Sequence, residues 1–244
     1  MKKECRIDDE SCQSFPISRP IRLDCGLAEL RRQVAGLGGD CYAYIVGTVK
    51  MNASGEFSQE GSGPNWQGGR ITVCTCKHYM RTFKGAPEAW KDCWIAGFTS
   101  RSHDGCHWLV YLVQVERAFA SHAEPWDKGG LPQRALAAKR ASEHQLGDLF
   151  EPKSDARKDV FSWRSYRAPV SGHSHSKTHP DQWHDDIDYN KGVAGRRPAL
   201  LAGNPERSFL WSNTIVRYRG KLPRGQKRLE LAALIETQLE EEPS

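Results

Sequence analysis

Cys76-Lys77 followed by Arg81 sets a thiol beside two cations, and nearby positive charge favours the nucleophilic thiolate over the thiol. Cys76 is therefore a candidate nucleophile with Lys77 as its catalytic neighbour. The structural alternative is a strand-end cysteine turned to the core. Lys77 and Arg81 also suit a phosphate or carboxylate, because a guanidinium forks onto oxyanions and an ammonium supplies a point charge. Their alternative is an ordinary surface pair. Asn65 and Trp66 stand among glycines, where main-chain N–H groups approach a ligand closely. Asn offers the donor and acceptor that a base edge requires, and Trp offers a stacking plane. Otherwise they read as a turn-forming Asn and a packed Trp.

The stretch His173 to Asp188 gathers four of the nine histidines with four aspartates. Imidazoles and carboxylates together suit Zn, Mn or Fe, and in zinc deaminases such a metal activates the attacking water. This would make the chain a metal-dependent enzyme acting on a nucleobase. The competing reading is a polar loop in which His-x-His recurs by accident. Cys74, Cys76, Cys93 and Cys106 with His107 lack the paired knuckles of zinc ribbons, so no residue is assigned as a metal ligand. A Walker loop, a Rossmann fingerprint and a Gly-x-Ser-x-Gly elbow are all missing from the sequence, and no cofactor is specified.

These residues must be held by a scaffold. Residues 1–25, with Pro16 and Pro20, read as an irregular arm ahead of a single domain over 26–244. Leu27, Leu30, Val34 and Leu37 recur at helical spacing until the glycines at 36, 38 and 39. A strand over Cys41–Val49 follows, rich in β-branched and aromatic residues. Met51–Gly69 reads as a polar binding loop, longer than compact domains normally carry without a functional reason. Strands are expected at Arg70–Thr75, Trp94–Phe98 and Trp108–Val115, and a helix over Pro132–Gln145. Residues 151–192, polar and rich in His and Asp, read as loops draped over the core. A strand pair at Ala199–Ala202 and Phe209–Val216 precedes a helix over roughly Gln226–Glu240. The whole is an α+β domain on a curved, largely antiparallel sheet or small β-barrel, with flanking helices and long polar loops.

Composition narrows the partner. The 244 residues carry a net charge of +5, and nine Lys and Arg side chains cluster between Arg196 and Arg228. That balance favours a polyanion, the alternative being a solvated basic face. Eight tryptophans supply flat side chains that fill cores and stack on bases. The eight cysteines show no disulfide framework, and the N-terminus opens no hydrophobic signal segment. No apolar run approaches the length that spans a membrane, so a reducing cytoplasm is the expected compartment.

The segment from Pro64 to Arg81 resembles the signature of the second nucleotide modification associated domain family, whose spacing is met by Pro64, Asn65, Gly69, Thr72, Cys76, Lys77 and Arg81. Trp94-Ile95-Ala96-Gly97 and Leu109–Val115 resemble the turn and strand that follow in that family, and Gly147-Asp148 and Ala199–Trp211 match more loosely. Asp92-Cys93 departs from the family's Gly-Asp, and His78 stands in place of its Pro. The strand pattern is also similar to small barrels of the pseudouridine-synthase-and-archaeosine-transglycosylase (PUA) type and their ASCH-like relatives, which read modified bases.

The resemblance implies binding or processing of modified bases or nucleotides in a DNA base-modification or phage-conflict pathway. A non-catalytic reader of modified DNA or RNA bases is the alternative. Cys76, Lys77 and His175 are the implied catalytic side chains. Asn65, Trp66, Gly69, Arg81, Trp94 and Asp148 are the implied substrate contacts, and Asn65, Lys77 and Arg81 are expected to line one pocket. The partner is a nucleic acid or nucleotide with a modified base. No membrane is involved, and the oligomeric state is left open.

Overall fold

In the computed structural model, which describes residues 21–59, 63–141, 148–154, 159–169, 183–192 and 196–242, the first element is a short strand β1 (Arg22–Leu23). It lies parallel to β8 (Leu200–Leu210), so the end of the expected arm is tied into the sheet. Helix α1 (Leu27–Val34) follows as its periodicity requires, burying Leu27, Leu30 and Val34 on one face. The chain then runs through β2 (Asp40–Ile45), the hairpin β3 (Val49–Met51) and β4 (Phe57–Gln59), and β5 (Thr72–Val73). Next come β6 (Trp94–Phe98), β7 (His107–Phe119) and helices α2 (Gln133–Ala141) and α3 (Trp183–Asn190). After β8 the chain closes with β9 (Val216–Tyr218), β10 (Gln226–Glu230), α4 (Leu231–Ala233), a π-helical turn over Leu234–Gln238, and β11 (Leu239–Glu241).

Nine of these strands form one mixed sheet in the order β1-β8-β7-β6-β2-β10, with β5, β9 and β11 attached beside it. Most pairs are antiparallel; β1 with β8 and β2 with β6 are parallel. The architecture is α+β, but the expected barrel does not form. The path ends at β1 on one side and β10 on the other, and these two are not paired with each other. β6 is buried along its whole length and β7 through Val113, which places the core on both faces of the central strands. Register shifts in β7 at Val113/Val115 and Val115/Arg117 mark bulges that bend it within its pairing with β8, while its first residues, His107 and Trp108, pair with β9.

Several expected elements are redrawn. The Met51–Gly69 loop contains the β3–β4 hairpin, because Asn52 accepts main-chain N–H bonds from Ser54 and Glu56 and closes a tight turn. The two strands expected at Ala199–Ala202 and Phe209–Val216 are largely one strand, β8, paired in two stretches with the bent β7. The expected Gln226–Glu240 helix is real only over Leu231–Gln238. Its flanks are captured by neighbouring strands, β10 by β2 and β11 by β9. The segment 151–192 is more than draped loop, because α3 turns Trp183, Asp186, Ile187 and Asn190 inward. Trp183 and Ile187 join Ala123, Phe150 and Tyr166 in a small core of their own. Among the described residues no helix is long and apolar enough to cross a membrane, and none of the six described cysteines is in a disulfide.

Candidate nucleic-acid interface

Parallel pairing of β2 with β6 demands a crossover, and that connection, residues 46–93, carries the Pro64–Arg81 segment. Its start is fixed by a bridge between Asn65 and Thr72 and by a 3-10 turn at Gln67–Gly69. Gly68 in that turn has φ of 72°, and a Cβ there would lie 2.6 Å from the Ala135 Cα. Only glycine lets α2 sit this close to the loop. The close approach delivers Lys139 from α2 into the protein interior.

Lys139 there donates to the Asn65 carbonyl at 3.0 Å, to Thr72 Oγ1 at 2.8 Å and to Asp148 Oδ2 at 2.9 Å. Thr72 Oγ1 donates in turn to Asp148 Oδ1 at 2.6 Å. All three ammonium protons are thereby used. Burial and the neighbouring Asp148 push the Cys74 thiol well up, which keeps it neutral beside this network. Asn65, Gly69 and Asp148 thus stand at the root of the loop, enclosed. Trp66 and Trp94 are buried in the main core.

Arg81 is buried as well. Its Nε donates to the Cys76 carbonyl at 2.9 Å and its Nη1 to the Ala199 carbonyl at 2.6 Å, joining the crossover to the entrance of β8. Lys77, in the left-handed region at φ of 53°, lies on the other side of Cys76. Its Nζ donates to the carbonyls of Arg224 at 3.2 Å and Gly225 at 3.0 Å and sits 5.2 Å from the Tyr44 ring centre. Partial burial holds the Lys77 ammonium below its ordinary pKa. Asn65, Lys77 and Arg81 thus each have hydrogen-bond partners within the fold. Arg81 serves two main-chain carbonyls inside, Lys77 serves two others at the surface, and the Asn65 carbonyl belongs to the Lys139 network.

Cys76 is half-buried between Lys77 and Arg81, and a Cβ added at Gly63 would lie 3.7 Å from its Sγ. His175 lies outside the described residues, as do His173 and His179. Among the described residues no cluster of three His, Cys, Asp or Glu side chains could hold a metal.

The residues that sequence reasoning passed over are the aromatics between the cations. Tyr79 is 68% exposed and Phe83 42% exposed, in edge contact at 5.2 Å. Next to them His78 stacks on Tyr189 of α3 at 4.5 Å with nearly parallel planes. Met80 and Arg81 are the inward side chains of the same turn. Lys84 follows and, with Arg228 of β10, grips Asp40, whose carboxyl is held below its usual range chiefly by the Lys84 hydrogen bond. The signal was present as Lys-His-Tyr-Met-Arg-Thr-Phe-Lys over residues 77–84, where aromatics and cations alternate around one apolar anchor.

Beneath this face His122 is fully enclosed. Its Nδ1 accepts the Phe150 N–H at 3.3 Å, and the Phe150 and Tyr166 rings pack against it. Burial pushes its pKa down to about 3, with Arg81 adding to the shift and Asp186 opposing it. The unfolded chain binds a proton near pH 6.5 that the folded chain refuses, so stability falls as the pH drops below that value. About 2 kcal/mol should be lost between pH 6.5 and 5 from this group. Urea unfolding of the wild type and of His122→Gln across that range measures it. Equal pH slopes in the two proteins would assign the loss elsewhere.

Compared with known proteins, the chain matches no family model, no curated protein and no solved structure.

Proposed function

We propose that this chain binds nucleic acid or nucleotides carrying a modified base, as a reader in a DNA base-modification or phage-conflict pathway, through the face spanning Lys77 to Lys84. The observation that carries the reading is the exposure of Tyr79 and Phe83 beside Lys77, Lys84, Arg224 and Arg228. Large apolar rings left in water on a folded domain mark interaction surfaces. Rings interleaved with cations suit bases and phosphates together, since stacking contributes about 1–3 kcal/mol per base and tolerates any sequence.

Lys77 and Arg224 are far apart in the chain yet touch here, so the segment around Arg224 and the crossover build one surface. The modified base, as opposed to any base, rests on the resemblance of Pro64–Arg81 to the nucleotide modification associated family. A non-catalytic reader is the form of this proposal that the exposed rings favour, since Tyr79 and Phe83 offer stacking planes.

Tyr79→Ala and Phe83→Ala should each weaken binding of a short single-stranded DNA by about tenfold, near 1.4 kcal/mol, while leaving Tm unchanged. Lys77→Ala should instead flatten the dependence of affinity on salt, because one counterion fewer is released. Fluorescence anisotropy at several salt concentrations reads both. Undiminished affinity in both aromatic variants would remove this face from the binding site.

A further inference from the structure

A second cleft, apart from the aromatic face, is built where β9 enters the sheet. β9 pairs His107 with Tyr218 and Trp108 with Arg217, which brings the turn before β7 against the residues that follow β9. Between them opens a cleft of about 330 Å³ lined by Arg101, Cys106, Arg217, Arg219, Lys221 and Glu240, among others. Four cations from two separate loops and one strand face a single carboxylate there.

The carboxylate organises the cations without cancelling them. Glu240 stands directly across from Arg217 in the β9–β11 register and binds Arg217 Nε at 2.6 Å and Arg219 Nε at 3.1 Å. Glu242 reaches Arg217 at 3.6 Å, so even counting both acids a positive excess remains. Arg101 is anchored by its Nε to the Gly105 carbonyl, and Arg219 and Lys221 are exposed. Gly220, at φ of 112°, turns the chain between those last two residues. Guanidinium forks whose orientation is already set, together with an ammonium, match the oxygens of a phosphate group.

We infer that this cleft binds the diphosphate or triphosphate end of a small molecule. Its size lies at the lower bound of small-ligand sites, enough for a charged end group and not for a length of polymer. The proposal is independent of the aromatic face, which shares no cation with it.

The test is calorimetric titration of inorganic pyrophosphate into the full chain at fixed ionic strength. A single site with Kd below about 1 mM is expected. The variant Arg219→Ala with Lys221→Ala should weaken it by about tenfold, and Lys77→Ala should leave it unchanged. Alkylation of Cys106, followed by peptide mass spectrometry, locates the ligand: pyrophosphate should slow it, and should not slow that of Cys76. No measurable binding, or affinity retained in the double variant, would overturn the inference. So would protection of Cys106 by a single-stranded oligonucleotide without terminal phosphates but not by pyrophosphate, which would assign the cleft to a polymer backbone. Loss of DNA binding in Tyr79→Ala with pyrophosphate binding intact separates this site from the aromatic one.

Discussion

Replacing Lys139 with Met is expected to lower the unfolding free energy by about 3–5 kcal/mol, since breaking a buried ion pair leaves its partner charged and unmatched. The Lys139 side chain is 0% exposed and that of Asp148 2%, so solvent cannot take over the lost interactions. Met has nearly the length of Lys, so the cost comes from the carboxylate, the Asn65 carbonyl and Thr72 Oγ1, which all lose their donor. Asp148→Leu should cost a similar amount by stranding the ammonium. The double variant, Lys139→Met with Asp148→Leu, should cost clearly less than the sum, because no buried charge remains. Urea unfolding of the four proteins closes the cycle. A single variant within about 1 kcal/mol of wild type would mean that water reaches the pair.

What could be read from the residues follows from which signals are local. The α1 periodicity, the apolar run of β6 and the two buried faces of β7 depend on near neighbours, and they appear where the spacing puts them. β10 and β11 do not. Gln226–Glu230 and Leu239–Glu241 become strands because β2 and β9 offer free edges, a tertiary effect that overrides helical propensity. α3 was legible in principle, since Trp183, Asp186, Ile187 and Asn190 follow the helical period, but the surrounding His, Asp and Pro content masked it.

The candidate site divides in the same way. Residue type made Asn65 and Arg81 look like ligand contacts, and the family resemblance added Asp148. Chemistry that suits a ligand also suits main-chain carbonyls, and only the packing of α2 on Gly68 and of the crossover on β8 decides between them. Tyr79 and Phe83 were overlooked for the converse reason. Aromatics are expected inside, and it is the inward turn of Met80 and Arg81 that leaves these two out.

Arg81 provides the sharpest separation of a structural from a ligand-binding side chain. Its guanidinium is enclosed and burial lowers its pKa, with the Asp186 carboxylate among the groups opposing the shift. It remains a cation all the same, since an arginine starts so far above neutrality. Arg81→Met should strand the Cys76 and Ala199 carbonyls, at about 1–3 kcal/mol each, and so lower Tm by about 10 °C. Arg81→Lys should recover only part of this, because one ammonium on a shorter reach cannot span two carbonyls set by different segments. A phosphate-contacting arginine would behave in the opposite way, with Tm held and affinity lost. Calorimetric melting beside DNA binding for Arg81→Met and Lys77→Ala therefore tests both roles at once. Unchanged Tm in Arg81→Met together with lost DNA affinity would return Arg81 to the ligand and require its side chain to leave the interior.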